Sequence, residues 1–151
     1  MIGGSNVAKA KLVTVKLDLA SDMAFRATFE TGHEMTFDAA DTVGGKNAGP
    51  RPTHMLLASL GACTAMDVIS ILHKMREPVV DYRLTIEGVR APDHPQIFTH
   101  ITITHVITGD IDEQHLARAI ELSDMKYCSI GAMLRRSAQI DTTFRIEPPQ
   151  T

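Results

Sequence analysis

One stretch constrains the fold of this 151-residue chain more than any other: it is opened by Pro52, closed by Pro78, and free of proline in between. Leu56, Leu57, Leu60, Cys63, Met66, Val68, Ile69, Ile71, Leu72 and Met75 recur there at helical spacing and leave little of the circumference polar. Pro52 suits a first helical turn, and Pro78 predicts the stop. About 24 residues at 1.5 Å each make a helix roughly 36 Å long, about as long as a domain of this size is wide. Such a helix belongs in a core, and its length points to a core shared by two chains.

The flanking sequence reads as short strands and helices. Strands are expected over residues 10–18, 23–30 and 33–37, the last two joined by a turn at Thr31-Gly32. Residues 41–50 are rich in Gly, Asn and Pro and read as a loop. Strands follow over 79–89 and 97–108, the second placing Ile97, Ile101, Ile103 and Ile107 on one buried face. Asp112 is expected to cap a helix with Leu116, Ala119, Ile120 and Met125 inward. A short helix over 126–138 and a strand over 139–146 complete an α+β order, βββ-α-ββ-αα-β, with antiparallel sheets in a single domain.

Composition narrows the function. A net charge of −3 gives no electrostatic footprint for nucleic acid or an acidic membrane. No uninterrupted apolar run reaches the length of a membrane span, and Met1 to Asn6 lacks a secretory pattern, so a cytoplasmic protein with no membrane partner is expected. Two cysteines are not a disulfide framework. Cys63 and Cys128 lie far apart, in no Cys-x-x-Cys, which weighs against a metal. Taken alone, each thiol reads first as inert packing and only then as chemistry. Cys63 sits mid-helix among the small residues Ala58, Ser59, Gly61 and Ala62. Cys128 falls near a helix start, where amide dipoles favour a thiolate. Asp67 is one turn beyond Cys63, placed to orient an arginine, bond Tyr127 or repel the thiolate, and a structural hydrogen bond is its expected use. His54 lies near the helix start. His100 and His105 differ in parity along one strand, so they point to opposite faces and are poor partners for one metal ion.

The run Gly61-Ala62-Cys63-Thr64-Ala65-Met66-Asp67-Val68-Ile69-Ser70-Ile71-Leu72 in a central helix resembles the first cysteine motif of the OsmC/Ohr superfamily. Lys126-Tyr127-Cys128-Ser129 before a helix resembles the second, and Phe98-Thr99-His100-Ile101 lies between them as in that superfamily. The likeness covers roughly residues 25–146 and is greatest to its OsmC-like branch. The resemblance implies an intertwined homodimer around the long central helix. It also implies a thiol peroxidase in which Cys63 is oxidised to a sulfenic acid by an organic hydroperoxide and is resolved by Cys128. An external dithiol then reduces the disulfide, and no bound cofactor or metal is needed. The family's peroxidases activate the first cysteine with an arginine clamped by a glutamate just after the proline that opens the helix. Here Thr53 and His54 follow Pro52, so the carboxylate is missing. Arg51, ahead of Arg26 and then Lys46, is the expected cation. Asp67, His54 and Tyr127 are the expected substrate contacts. The alternative is a non-catalytic protein holding a small hydrophobic ligand in the dimer cleft.

Overall fold

The computed structural model describes residues 10–150. The reading of Met1 to Asn6 lies outside them. Two compact units divide the chain, one up to Pro52 and one from Thr53 onward.

The first unit is an antiparallel three-stranded sheet, β1 (Val15–Ser21), β2 (Ala24–Phe29) and β3 (Glu34–Phe37). The predicted first strand starts late because its pairing with β2 begins at Val15, opposite Phe29. Gly32 takes φ +85° in the β2–β3 turn, a conformation that costs glycine nothing. The loop after β3 has an organiser that composition does not reveal. The buried Asp38 carboxylate accepts backbone N–H bonds from Ala39 at 2.7 Å, Lys46 at 3.0 Å and Ala48 at 2.9 Å. Those bonds hold its pKa below the usual carboxylate range, and the Arg51 charge adds to the effect.

The second unit packs helices on a three-stranded sheet. Helix α1 (Pro52–Lys74) is followed by β4 (Val79–Arg90), β5 (Phe98–Gly109), α2 (Glu113–Leu122), a single π-turn (Ser123–Tyr127), α3 (Ser129–Leu134) and β6 (Gln139–Glu147). The α+β order matches the expectation, but the sheet is mixed. Strand β4 pairs antiparallel with β5, whereas β6 pairs parallel with β5. The connection through α2, the π-turn and α3 is long enough to return the chain to the starting end, which a parallel pair requires.

Helix α1 ends before Pro78 intervenes. Arg76 adopts φ +61°, and the Arg76 and Glu77 amides close back on the His73 and Leu72 carbonyls at 3.0 Å each. By length and composition α1 is apolar enough to cross a membrane, although no uninterrupted apolar run within it reaches that length. One stripe of it, Leu60, Gly61, Thr64, Val68 and Leu72, is buried. That stripe serves two apolar clusters. Val68 and Leu72 join Ile107, Leu116, Ala119 and Ile120, while Leu60 joins Phe98, Ile101, Ile103 and Cys128. A β-carbon on Gly61 would sit 2.3 Å from Ile86 Cδ1, so the glycine sets how closely α1 approaches β4.

Three other local expectations are corrected. Ile97 is exposed and Phe98 is buried in its place, because a bulge sets Val89 opposite His100 but Arg90 opposite Phe98 and turns Phe98 inward. Met125 is exposed, since the π-turn rotates the chain away from the α2 register. The last helix starts at Ser129, because Cys128 is in the extended region and acts as its N-cap.

Candidate active site

Cys63 projects from the middle of α1 onto the Leu60–Phe98–Ile101–Ile103 cluster and is half-buried. Cys128 reaches the same place from the start of α3 and is buried. Both are free thiols. The Cys63 and Cys128 sulfurs and an Asp67 carboxylate oxygen all lie within 4.8 Å of one another. Cys63 and Asp67 share a face because four residues advance just over one helical turn. Cys128 is added by the π-turn and the extended backbone that follows it.

Each member is held by its neighbours. Ser123, fully buried, lies with Oγ 3.0 Å from Asp67 Oδ2 and 3.0 Å from Thr64 Oγ1, so it donates to the carboxylate and fixes its orientation. The Gly131 amide donates to Cys128 Sγ at 3.3 Å. Arg135 pairs with Asp124 at 3.1 Å and donates to the Asp124 carbonyl, tying the π-turn to α3. Ser123, Thr64 and Gly131 were not singled out from the sequence. Their roles depend on the π-turn, which has no local signal.

The expected dipole effect on Cys128 is corrected in direction. Burial pushes its pKa up to about 11, the hydrogen bond and charge of Cys63 and the charge of Asp67 push the same way, and only the Gly131 N–H opposes them. A six-residue helix supplies a weak dipole, and removing a thiolate from water outweighs it.

The other predicted residues are distributed differently. Asp67 bonds Ser123 and not Tyr127, which is half-exposed with the Lys126 Nζ 5.2 Å from its ring centre. His54 is exposed and lines an open groove of about 580 Å³ between α1 and β4, with Leu57, Ala58, Gly61, Ala62, Ala65, Leu84 and Ile86. Arg26 and Arg51 belong to the first unit. Arg26 is exposed on β2 between Asp18 and Thr36, and Arg51 donates to the Gly49 carbonyl at 3.1 Å. Lys46 pairs with Asp22 there at 2.6 Å. His100 pairs with Asp141 at 3.1 Å, while His105 faces the core, so the two histidines are on opposite faces as expected.

A mixed α+β unit that joins two remote cysteines across a central helix defines the class, and comparison with known proteins agrees. The family model described as OsmC-like protein matches residues 44–143. Protein YhfA of Escherichia coli (strain K12) is 34% identical over 128 residues, covering 82% of this chain and 90% of YhfA. A protein of Aquifex aeolicus VF5 superposes with a TM-score of 0.83 at 32% identity, covering 93% of this chain and all of its own. An organic hydroperoxide resistance protein of Legionella pneumophila shares the fold, with a TM-score of 0.68 at 14% identity, covering 90% of this chain and 98% of its own. The chain is a member of the OsmC family.

Proposed function

We propose that this protein is a thiol-dependent reductase of organic hydroperoxides. The observation that carries the reading is the meeting of Cys63 and Cys128, remote in sequence, with their sulfurs no more than 4.8 Å apart. A relative in fold that is named for organic hydroperoxide resistance supports it. In the first step the Cys63 thiol gives up its proton, the thiolate sulfur attacks the terminal peroxide oxygen, the O–O bond breaks, and the departing alkoxide takes up the released proton and leaves as the alcohol. The resulting sulfenic acid is attacked by the Cys128 sulfur, and the Cys128 proton leaves with the sulfenic hydroxyl as water. The disulfide so formed is returned to two thiols by an external dithiol, which is itself oxidised.

Arg51, with Arg26 next, is the cation proposed to favour the Cys63 thiolate and to bind the peroxide oxygens. The active form is proposed to be a cytoplasmic homodimer. Val15, Leu17 and Leu19 form an apolar row on β1 that is exposed in the single chain, as are Leu56 and Met66 of α1. Light scattering at micromolar concentration is expected to give twice the chain mass.

The deciding experiment is mass spectrometry after one equivalent of cumene hydroperoxide. It is expected to show a loss of two hydrogens, reversed by a dithiol and absent in Cys63→Ser. Overoxidation of Cys63 without a disulfide would remove Cys128 from the role. One observation favours a second reading, a carrier of a small hydrophobic ligand: the α1–β4 groove is lined mainly by apolar side chains. That reading takes over if wild type consumes no hydroperoxide and Arg51→Ala and Arg26→Ala change nothing.

A further inference from the structure

The peroxide chemistry uses two sulfurs and leaves Asp67 unexplained. A carboxylate beside two thiols repels the thiolate that the reaction needs, yet Ser123 holds it facing them. The geometry points to a site for a thiophilic divalent cation, zinc in class, ligated by Cys63, Asp67 and Cys128 in the reduced protein. The reason is donor chemistry and spacing. Two sulfurs and one carboxylate oxygen, with a fourth position left open, form a set that zinc takes in tetrahedral sites. With Zn–S near 2.3 Å and Zn–O near 2.0 Å, tetrahedral ligands stand about 3.5–3.8 Å apart. The three atoms here lie within 4.8 Å, so side-chain adjustments of about 1 Å close the set around an ion.

Three further features fit. Cys63 and Asp67 are four residues apart on one helix, the spacing at which a helix presents two ligands to one ion. Two of the three ligands are oriented from behind, Asp67 by the Ser123 hydroxyl and Cys128 by the Gly131 amide, as outer-shell groups orient metal ligands. The cations nearest Cys128 along the chain are engaged elsewhere, Arg135 on Asp124 and Lys126 over Tyr127. The site was invisible to motif reading because its third ligand arrives from a distant turn.

This inference does not depend on the peroxidase reading, and its test separates the two. The reduced full-length protein is titrated with Co²⁺ alone, then with Zn²⁺ in competition with a chromophoric chelator. The expected result is one ion per chain, a thiolate-to-cobalt charge-transfer band, and its displacement by zinc. Cys63→Ser and Cys128→Ser are each expected to weaken zinc at least tenfold and to diminish the band. Asp67→Asn should weaken zinc while keeping the band. Wild type with both thiols alkylated, or joined as a disulfide, should bind none, a control that does not depend on how the variants fold. Absence of the band, or zinc bound equally by wild type and both serine variants, overturns the site. Hydroperoxide turnover in chelator without any zinc binding sinks this inference alone. Zinc binding without disulfide formation supports it and sinks the peroxidase reading alone.

Discussion

The Tyr82 hydroxyl and His105 Nδ1 lie 2.6 Å apart on the core face of the β4–β5 pair, and the other ring nitrogen of His105 is buried without a partner among the described residues. The rings stack with centroids 5.9 Å apart. His105 is fully buried. Burial lowers its pKa to about 4, against the opposing charge of Asp124.

Acid should therefore destabilise the second unit through His105. Its folded pKa is below the unfolded value near 6.5, so the stability tied to the neutral ring is present above about pH 6.5. It is lost as the pH falls toward 4, because the unfolded chain takes up a proton that the folded chain refuses. At about 1.4 kcal/mol per pH unit this amounts to roughly 3 kcal/mol. His105→Gln is expected to be less stable at pH 7 but to lose far less between pH 7 and 4.5. An unchanged slope in urea titrations would remove His105 as the cause.

His115 should act with the opposite sign. Glu77, after the end of α1, bonds the His115 ring and accepts the Asp112 amide at 3.1 Å, while Asp112 caps α2 by accepting the His115 amide at 3.0 Å. The Glu77 bond raises the His115 pKa. Its stabilisation is complete below the unfolded value near 6.5 and disappears as the pH rises through the raised folded value. His115→Ala should lower Tm at pH 5.5 and approach wild type at pH 9. An equal deficit at both would mean that packing, and not charge, is what was lost.

Gly88 predicts a steric effect. A β-carbon there would stand 2.6 Å from two atoms of the Phe98 ring and 3.2 Å from Leu57 Cδ1. Phe98 is buried and its ring cannot bend away, so Gly88→Ala should cost about 1–3 kcal/mol in urea unfolding. Adding Phe98→Leu should recover part of that loss, because the clash and the ring are removed together.

What the sequence disclosed and what it hid follow a physical division. Period-two alternation placed Ile101, Ile103 and Ile107 on one face, and helical spacing with Pro52 located α1, because both signals are local. Asp112 was legible as a cap for the same reason. Ile97 and Met125 were misplaced by one bulge and one π-turn, single-residue irregularities that shift parity without any compositional mark. The two cysteines were found by resemblance to a family. Their company was not. Asp67 reads from sequence as a partner for an arginine or for Tyr127, whereas Ser123 holds it, and the parallel β5–β6 pairing that closes the sheet is a contact between segments about 40 residues apart.

The cysteine pair supports a final prediction on reactivity, made with chelator present so that metal plays no part. Cys63 is half-buried, whereas Cys128 is buried and its pKa is pushed up to about 11, first by loss of solvent, then by the Cys63 hydrogen bond and the Cys63 and Asp67 charges. Alkylation requires a thiolate. At pH 8 a thiol of pKa near 11 is ionised to about one part in a thousand, roughly a hundredfold less than an ordinary cysteine. Native protein treated with iodoacetamide at pH 8 should therefore label Cys63 first, with Cys128 at least tenfold slower. In urea the two should react alike. Asp67→Asn removes one of the negative charges and should speed Cys128, while Gly131→Pro, which deletes the N–H donor to its sulfur, should slow it further. Circular dichroism guards against reading a misfolded variant as a chemical effect. Equal labelling of both cysteines in the native protein would mean that Cys128 is neither as buried nor as protonated as its position at the start of α3 requires.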